Sequence, residues 1–372
     1  MGCEIEFLAV GDASRAGDAI VIRYGEEHNY KLMVVDGGTV DTGEKLVTHL
    51  KAQFGTSAVL EHLVLSHADS DHASGLREVL KEIPVKNFWL HIPWLLSDEA
   101  ISLFQYKLWT KESLAAAIKK EYDILVELVD LATTAGTPIM YPFQGSQIGP
   151  FTVLSPRRAT YVHLLPQFDK TPEPDQSLLE SLHIWIAKGN AASGLAGLFK
   201  SMVEKVQQWL TENWYLERLK DGGITSASNE SSVVLYADIP GVGRFLLTAD
   251  AGIQALYWAI GHAKSCGYVL RDFSFVQIPH HGSRRNVGPS VLNELIGPIQ
   301  PEGTQKFTAF VSAPADDTKH PRKIVLNAFI RRGGRVLATQ GQNKVHWGGF
   351  SPRPGYLTVV PLGLSTTVED YD

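Results

Sequence analysis

The chain has 372 residues, 44% hydrophobic and 20% charged, a balance that supports a sizeable buried core and excludes a disordered or fibrous polymer. Its formal net charge of -6 excludes the strongly basic footprint of a sequence-blind grip on long nucleic acid, though not a local basic patch. Two distant cysteines, Cys3 and Cys266, give neither a disulfide framework nor a cysteine-rich zinc module, and no window approaches the ~18 consecutive apolar residues of a membrane span.

Short strands separated by turns are expected over residues 5–10, 19–24 and 32–35, with Asp36-Gly37-Gly38 ending the third sharply. An amphipathic helix near 45–54 and a strand over 63–66 follow. Residues 76–83 suggest a helix, 88–92 a strand and 97–135 mostly helix. A strand over 148–154 closes at Ser155-Pro156. The least typical stretch comes next, a proline-containing loop followed by helical spacing over 178–219; it is read as a helical insertion at about 157–228. Strands over 233–237 and 245–248, a helix after Gly252, a strand over 273–278, a helix near 290–296, a strand over 307–312 and a helix over 324–332 complete the second half. Short strands are expected near Val336 and Tyr356. Two β-rich halves, each ending strands at polar motifs, predict an α/β protein built as a four-layer αββα sandwich, with 1–372 as one domain.

The most informative segment is Leu63-Val64-Leu65-Ser66-His67-Ala68-Asp69-Ser70-Asp71-His72, in which an apolar run delivers His67, Asp69, Asp71 and His72 within six positions. Turn chemistry explains Asp and Ser, but not two His flanking two Asp at this spacing; imidazoles and carboxylates so placed can converge on cations. Later segments repeat the logic. Leu246 to Ala249 leads to Asp250, Val276 to Pro279 leads to His280 and His281, and the strand over 307–312 precedes His320-Pro321.

This ordered set resembles the metallo-β-lactamase-fold hydrolases of the ComEC competence-protein type. The resemblance is carried by Phe7-Leu8-Ala9-Val10-Gly11 with Gly17-Asp18-Ala19, Val35-Asp36-Gly37-Gly38, the His-x-Asp-x-Asp-His loop, Val153-Leu154-Ser155-Pro156, Asn229 with Ser231 and Ser232, Thr248-Ala249-Asp250, His280-His281-Gly282-Ser283 and His320-Pro321. It spans nearly the whole chain but departs in two respects. The transmembrane segments of channel-forming members have no counterpart, so a role in DNA uptake does not carry over, and Asp69 stands where most of the superfamily has a second His.

The resemblance implies two divalent cations. Asp71 and His72 would bind one together with His280 or His281, Asp250 would bridge, and His67 with Asp69 would hold the other. A third His for the site of His67 and Asp69 has no clear counterpart, with His163 and His183 in the right interval but in unmatched context. Zinc is the first expectation; the carboxylate of Asp69 hardens one site and makes manganese the second.

Paired cations can lower the pKa of a shared water and stabilise charge on an attacked centre, which suits phosphodiesters, lactones, amides or thioesters. Asp71 and His320 are the expected catalytic residues, His320 as a proton donor or phosphate contact, while Ser283, Arg284, Arg285 and Asn229 are expected to bind substrate. The leading expectation is a metal-dependent phosphodiesterase acting on a nucleic acid or nucleotide. The alternatives are a phosphorylcholine-esterase-like or ester/lactone hydrolase, and an effector subunit switched on by a partner. Trp185, Trp209 and Trp214 in the insertion offer a face for such a partner or a homo-oligomer. The N-terminus lacks a basic start followed by an apolar run, and a cytoplasmic location without membrane association is expected.

Overall fold

The computed structural model describes residues 1–11, 16–184 and 209–370. In chain order the strands are β1 (Gly2–Phe7), β2 (Ala19–Glu26), β3 (Asn29–Gly37), β4 (Leu60–Val64), β5 (Phe88–Trp89), β6 (Ile139–Met140), β7 (Gln147–Ile148) and β8 (Phe151–Ser155). They continue as β9 (Trp209–Thr211), β10 (Val234–Ile239), β11 (Gly243–Leu247), β12 (Phe273–Gln277), β13 (Phe307–Val311), β14 (Gly334–Ala338), β15 (Lys344–Gly348) and β16 (Thr367–Glu369). Two seven-stranded sheets result, ordered β15-β1-β2-β3-β4-β5-β6 and β14-β13-β12-β11-β10-β8-β7, with β9 and β16 as a separate pair.

The period-two alternation of side chains along each strand builds the layers. In β2, Ile20 and Ile22 enter the core between the sheets while Val21 faces the helices outside; in β11, Phe245 and Leu247 point inward and Leu246 outward. Helix Val40–Phe54 covers the first sheet with Leu46, Val47 and Leu50, and helix Ile253–Ser265 covers the second with Ala255, Leu256, Ala259 and Ile260. Helix, sheet, sheet and helix therefore stack in the expected four-layer order.

Strands β3 to β6 run parallel, as do β11 to β14. Parallel strands end on a common side, and the ends of β3, β4, β11, β12 and β13 deliver the polar motifs to one edge of the sandwich. Gly17, in the loop between β1 and β2, lies against that edge so closely that a Cβ would fall 2.2 Å from the Asp71 carbonyl oxygen.

Three sequence expectations need correction. No strand forms at Tyr356, which lies in the C-terminal loop with its hydroxyl bonded to Glu6 Oε1. The edge strand is instead β15, whose Lys344, His346 and Trp347 hide the alternation, and which pairs antiparallel with β1. The helical spacing over 178–219 gives helix Gln176–Ser181, capped by Asp175, but Trp209–Thr211 is a strand bonded to Thr367–Glu369. Trp185 lies outside the described residues. The stretch over 97–135 is interrupted, with helices Lys111–Lys120 and Asp123–Thr134 as its longest pieces.

Just beyond β5, His91 is buried between the rings of Phe143 and Tyr161, with centroids at 4.6 and 4.5 Å. Burial pushes its pKa down to about 3. The unfolded chain binds that proton near its ordinary value of ~6.5, so folding stability falls as pH drops through 6.5 toward 3, by on the order of 1 kcal/mol per unit. The variant His91→Phe removes this term. Denaturant unfolding at pH 7 and pH 5 should show the variant losing about 1–2 kcal/mol less than the parent; equal losses would contradict the assignment.

Candidate metal centre

The site is organised around Asp250, a buried carboxylate at the end of β11. Its oxygens divide four imidazoles. On the Oδ1 side lie His72 Nε2 at 3.5 Å and His281 Nε2 at 3.9 Å. On the Oδ2 side lie His67 Nε2 at 3.9 Å and His280 Nδ1, which hydrogen-bonds that oxygen. Asp71 shares the first side, with ligand-capable atoms of Asp71, His72 and His281 all within 4.8 Å of one another. Asp69 Oδ2 lies 3.6 Å from His67 Nε2 on the second.

Each of three rings is anchored through Nδ1. Ser66 Oγ donates to Asp36 Oδ2 at 2.6 Å and so accepts from His67 Nδ1 at 3.0 Å; His72 Nδ1 donates to Asp36 Oδ2 at 2.8 Å, and His281 Nδ1 to the Ser312 carbonyl at 3.0 Å. This leaves a lone pair on each Nε2. Among the described residues, the buried Nε2 atoms of His67, His72 and His281 and Asp250 Oδ1 have no hydrogen-bond partner. An unmet buried polar atom costs about 1–3 kcal/mol, and four that converge form a donor set suited to divalent cations.

The electrostatics agree. Burial disfavours a charged His72, but Asp250 and Asp36 outweigh it and hold its pKa well above the ordinary value. His67 and His280 are likewise raised against burial, His67 by Asp69 and Asp250 and His280 by Asp250. Burial would raise Asp250, yet His280, His72 and His281 pull it far below the usual carboxylate range. Protons on the rings and cations between them answer the same negative potential.

The backbone is strained where the motifs meet. Asp36, Ala249, His280 and His281 are non-glycine residues at φ 60, 45, 46 and 54°. Each costs on the order of 1–3 kcal/mol, which the surrounding packing offsets. At the carboxyl end of β12, Gln277 ties the two halves together. Its Nε2 donates to Asp18 Oδ2 at 2.7 Å, and its Oε1 accepts from the Thr248 and Ala249 amides at 2.9 and 3.0 Å.

The remaining expected residues lie further out. Asn229 is buried, its Nδ2 donating to Thr225 Oγ1 at 2.8 Å and lying 3.3 Å from His280 Nδ1. Ser283 Oγ accepts from the Arg285 amide at 3.3 Å, Arg284 donates to the Asp370 carbonyl, and Arg285 is exposed. His320 Nδ1 meets Asp317 Oδ2 at 3.3 Å; burial, stronger than the pull of Asp317, pushes its pKa to about 4. His163 and His183 do not join the centre; they line a separate cavity of about 910 Å³ with Tyr257 and Trp258. Asp36, Ser66, Asp18, Gln277, Ser228 and Ser312 escaped the sequence reading as positioning groups. Asp36 and Asp18 carried a signal, in the motifs Val35-Asp36-Gly37-Gly38 and Gly17-Asp18-Ala19.

Residues 13–138 match the family model described as the Metallo-beta-lactamase superfamily. That segment contains the His67 to His72 loop but stops short of Asp250, His280 and His281. No curated protein sequence matches the chain. Similar solved structures include the metallo-beta-lactamase fold protein YhfI from Bacillus subtilis, 13% identical, covering 94% of this chain and 100% of that one at a TM-score of 0.41. Zn(2+)-bound PqqB from Methylobacterium extorquens is 10% identical over 92% of this chain and 99% of that one, TM-score 0.37. A long form RNase Z from yeast is 12% identical over 98% of this chain but 40% of that one, TM-score 0.34.

Asp36 gives the centre a sharp test. Asn tolerates the left-handed backbone at this position, but its amide nitrogen would face His72 Nδ1 and drive the proton onto Nε2, the nitrogen aimed at Asp250. Asp36→Asn should weaken zinc binding by about 10- to 100-fold in a chelator competition, with an unchanged circular dichroism spectrum. Parental affinity would contradict the role given to Asp36.

Proposed function

We propose that this protein is a metal-dependent hydrolase in which Asp250 and the residues around it would hold two divalent cations, and that it cleaves phosphodiesters of the nucleic acid or nucleotide class. The observation that carries the reading is the convergence of three Nδ1-anchored imidazoles, with unpaired Nε2 atoms, on one buried carboxylate. The superfamily match over 13–138 supports the hydrolase part.

On this reading His72, His281 and Asp71 would hold one cation and His67, His280 and Asp69 the other, with Asp250 available to both. His280 thus supplies the ring that neither His163 nor His183 brings to the site. When bound, such a pair supplies Lewis acidity and a water of lowered pKa. The protein's own groups do the rest. Asp36, Ser66 and Ser312 keep the lone pairs of His72, His67 and His281 aimed inward. Ser228, donating to Asp69 Oδ1 at 2.7 Å, leaves Oδ2 for the centre. His320, neutral at pH 7 with Nδ1 turned to Asp317, offers Nε2 as a proton acceptor rather than a stored acid. Arg322, whose charge bears on His320, and exposed Arg285 would favour a phosphodiester over a neutral ester.

Protein loaded with Zn²⁺ or Mn²⁺ should hydrolyse bis(p-nitrophenyl) phosphate and at least one of single-stranded DNA, double-stranded DNA, RNA or cyclic nucleotides. Asp71→Asn and His72→Ala should each lower turnover at least ~100-fold while the fold persists. Arg285→Ala should raise KM for the phosphodiester more than for a neutral ester. Metal-loaded protein that leaves every phosphodiester intact sinks the proposed activity, and full turnover with normal metal content in His72→Ala sinks the site.

A further inference from the structure

Away from the metal centre, a cavity of about 920 Å³ opens beside the edge strands β14 and β15, walled on its outer side by the C-terminal segment. Its lining combines cations with rings. Lys344 and Arg335 supply the charge, and His346, Phe310, Trp347 and Tyr356 supply flat surfaces.

The cations are the unusual part. Lys344 is 5% exposed, yet its ammonium donates to Gln342 Oε1 at 3.1 Å and lies in no ion pair among the described residues. Arg335 donates to the Val359 carbonyl at 3.1 Å and likewise has no carboxylate partner among the described residues. Nearby acids are already engaged. Glu4 pairs with Arg23 at 2.8 Å and with Arg353 at 2.7 Å, and Glu6 is held by Arg353 at 2.7 Å, by His49 at 3.0 Å and by the Tyr356 hydroxyl. An ammonium drawn partly out of water without a counter-ion is destabilising unless something in the adjoining space compensates it. Burial lowers the Lys344 pKa accordingly.

The geometry points to a second binding site, for a small organic anion that joins a phosphate group to a flat ring, the chemistry of a nucleoside monophosphate. Lys344 and Arg335 neutralise the phosphate, and the ring packs against His346, two residues from Lys344 on the same face of β15; Trp347 and Tyr356, over which Arg353 already lies, close the far side. The volume suits a ligand of this size. None of these residues belongs to the groups around Asp250, so the site stands independently of the proposed hydrolytic activity. It nevertheless shares elements with the centre. Phe310 lies two residues before Ser312 on β13, and Asn343 accepts at Oδ1 from the Ala9 amide at 2.9 Å, in the loop that leads to Gly17.

Isothermal titration of the metal-loaded protein with AMP and UMP, with inorganic phosphate as the ring-free control, tests the proposal. Saturable binding of a nucleotide, tighter than that of phosphate, is expected. Lys344→Met and Arg335→Gln should each weaken it at least ~10-fold at unchanged metal content, the loss of one charge-assisted contact. Lys344→Met removes an uncompensated charge at nearly constant volume; should it fail to fold, Arg335→Gln decides alone. No saturable binding, affinity unchanged in the folded variants, or phosphate binding as tightly as the nucleotides would overturn the assignment.

Discussion

One buried carboxylate sets the terms for the rest of this structure. Asp250 sits among four imidazoles, and the arrangement is stable only if positive charge stands between them. Hydrophobic packing cannot supply that charge, and solvent reaches little of the cluster. Three contacts keep three of the rings turned inward: Asp36 on His72, Ser66 on His67 and the Ser312 carbonyl on His281. Such supporting contacts fix the tautomer and aim of a ligand, and their loss is felt at the ion although they never touch it.

The αββα sandwich suits this task because its parallel strands end together. Residues held at positive φ at three of those ends would relax on a mobile loop, whereas here the strands, fixed on both faces by packed side chains, hold them. The two halves of the sandwich are joined at the same edge. Gln277 bonds both Asp18 from the first half and the Asp250 loop, and Ser312 Oγ donates to the Gly17 carbonyl at 2.8 Å. The centre is therefore assembled by tertiary contact and would not survive separation of the halves.

Much of this was legible in the sequence, for local reasons. The His67 to His72 loop, Asp250 and the His280-His281 pair each follow an apolar strand, and the near-continuous apolar runs in β2, β3, β10 and β11 announce strands buried on both faces. What escaped depends on distant partners. Strand β15 is defined by pairing with β1 from the opposite end of the chain, and β9 by pairing with β16, so neither has a local pattern to read. Arg284 looked like a phosphate contact from its place beside Arg285, but its guanidinium is turned to the C-terminal segment. The positioning groups Ser66, Gln277 and Ser312 are ordinary residue types whose importance arises only when the sheets close.

The central proposal is that the residues around Asp250 would hold two cations. Anomalous diffraction from crystals of the zinc-loaded protein, measured on both sides of the zinc absorption edge, addresses it most directly. Two peaks are expected, one among His72, His281 and Asp71 and one among His67, His280 and Asp69. A single peak, or zinc bound away from Asp250, would contradict the account.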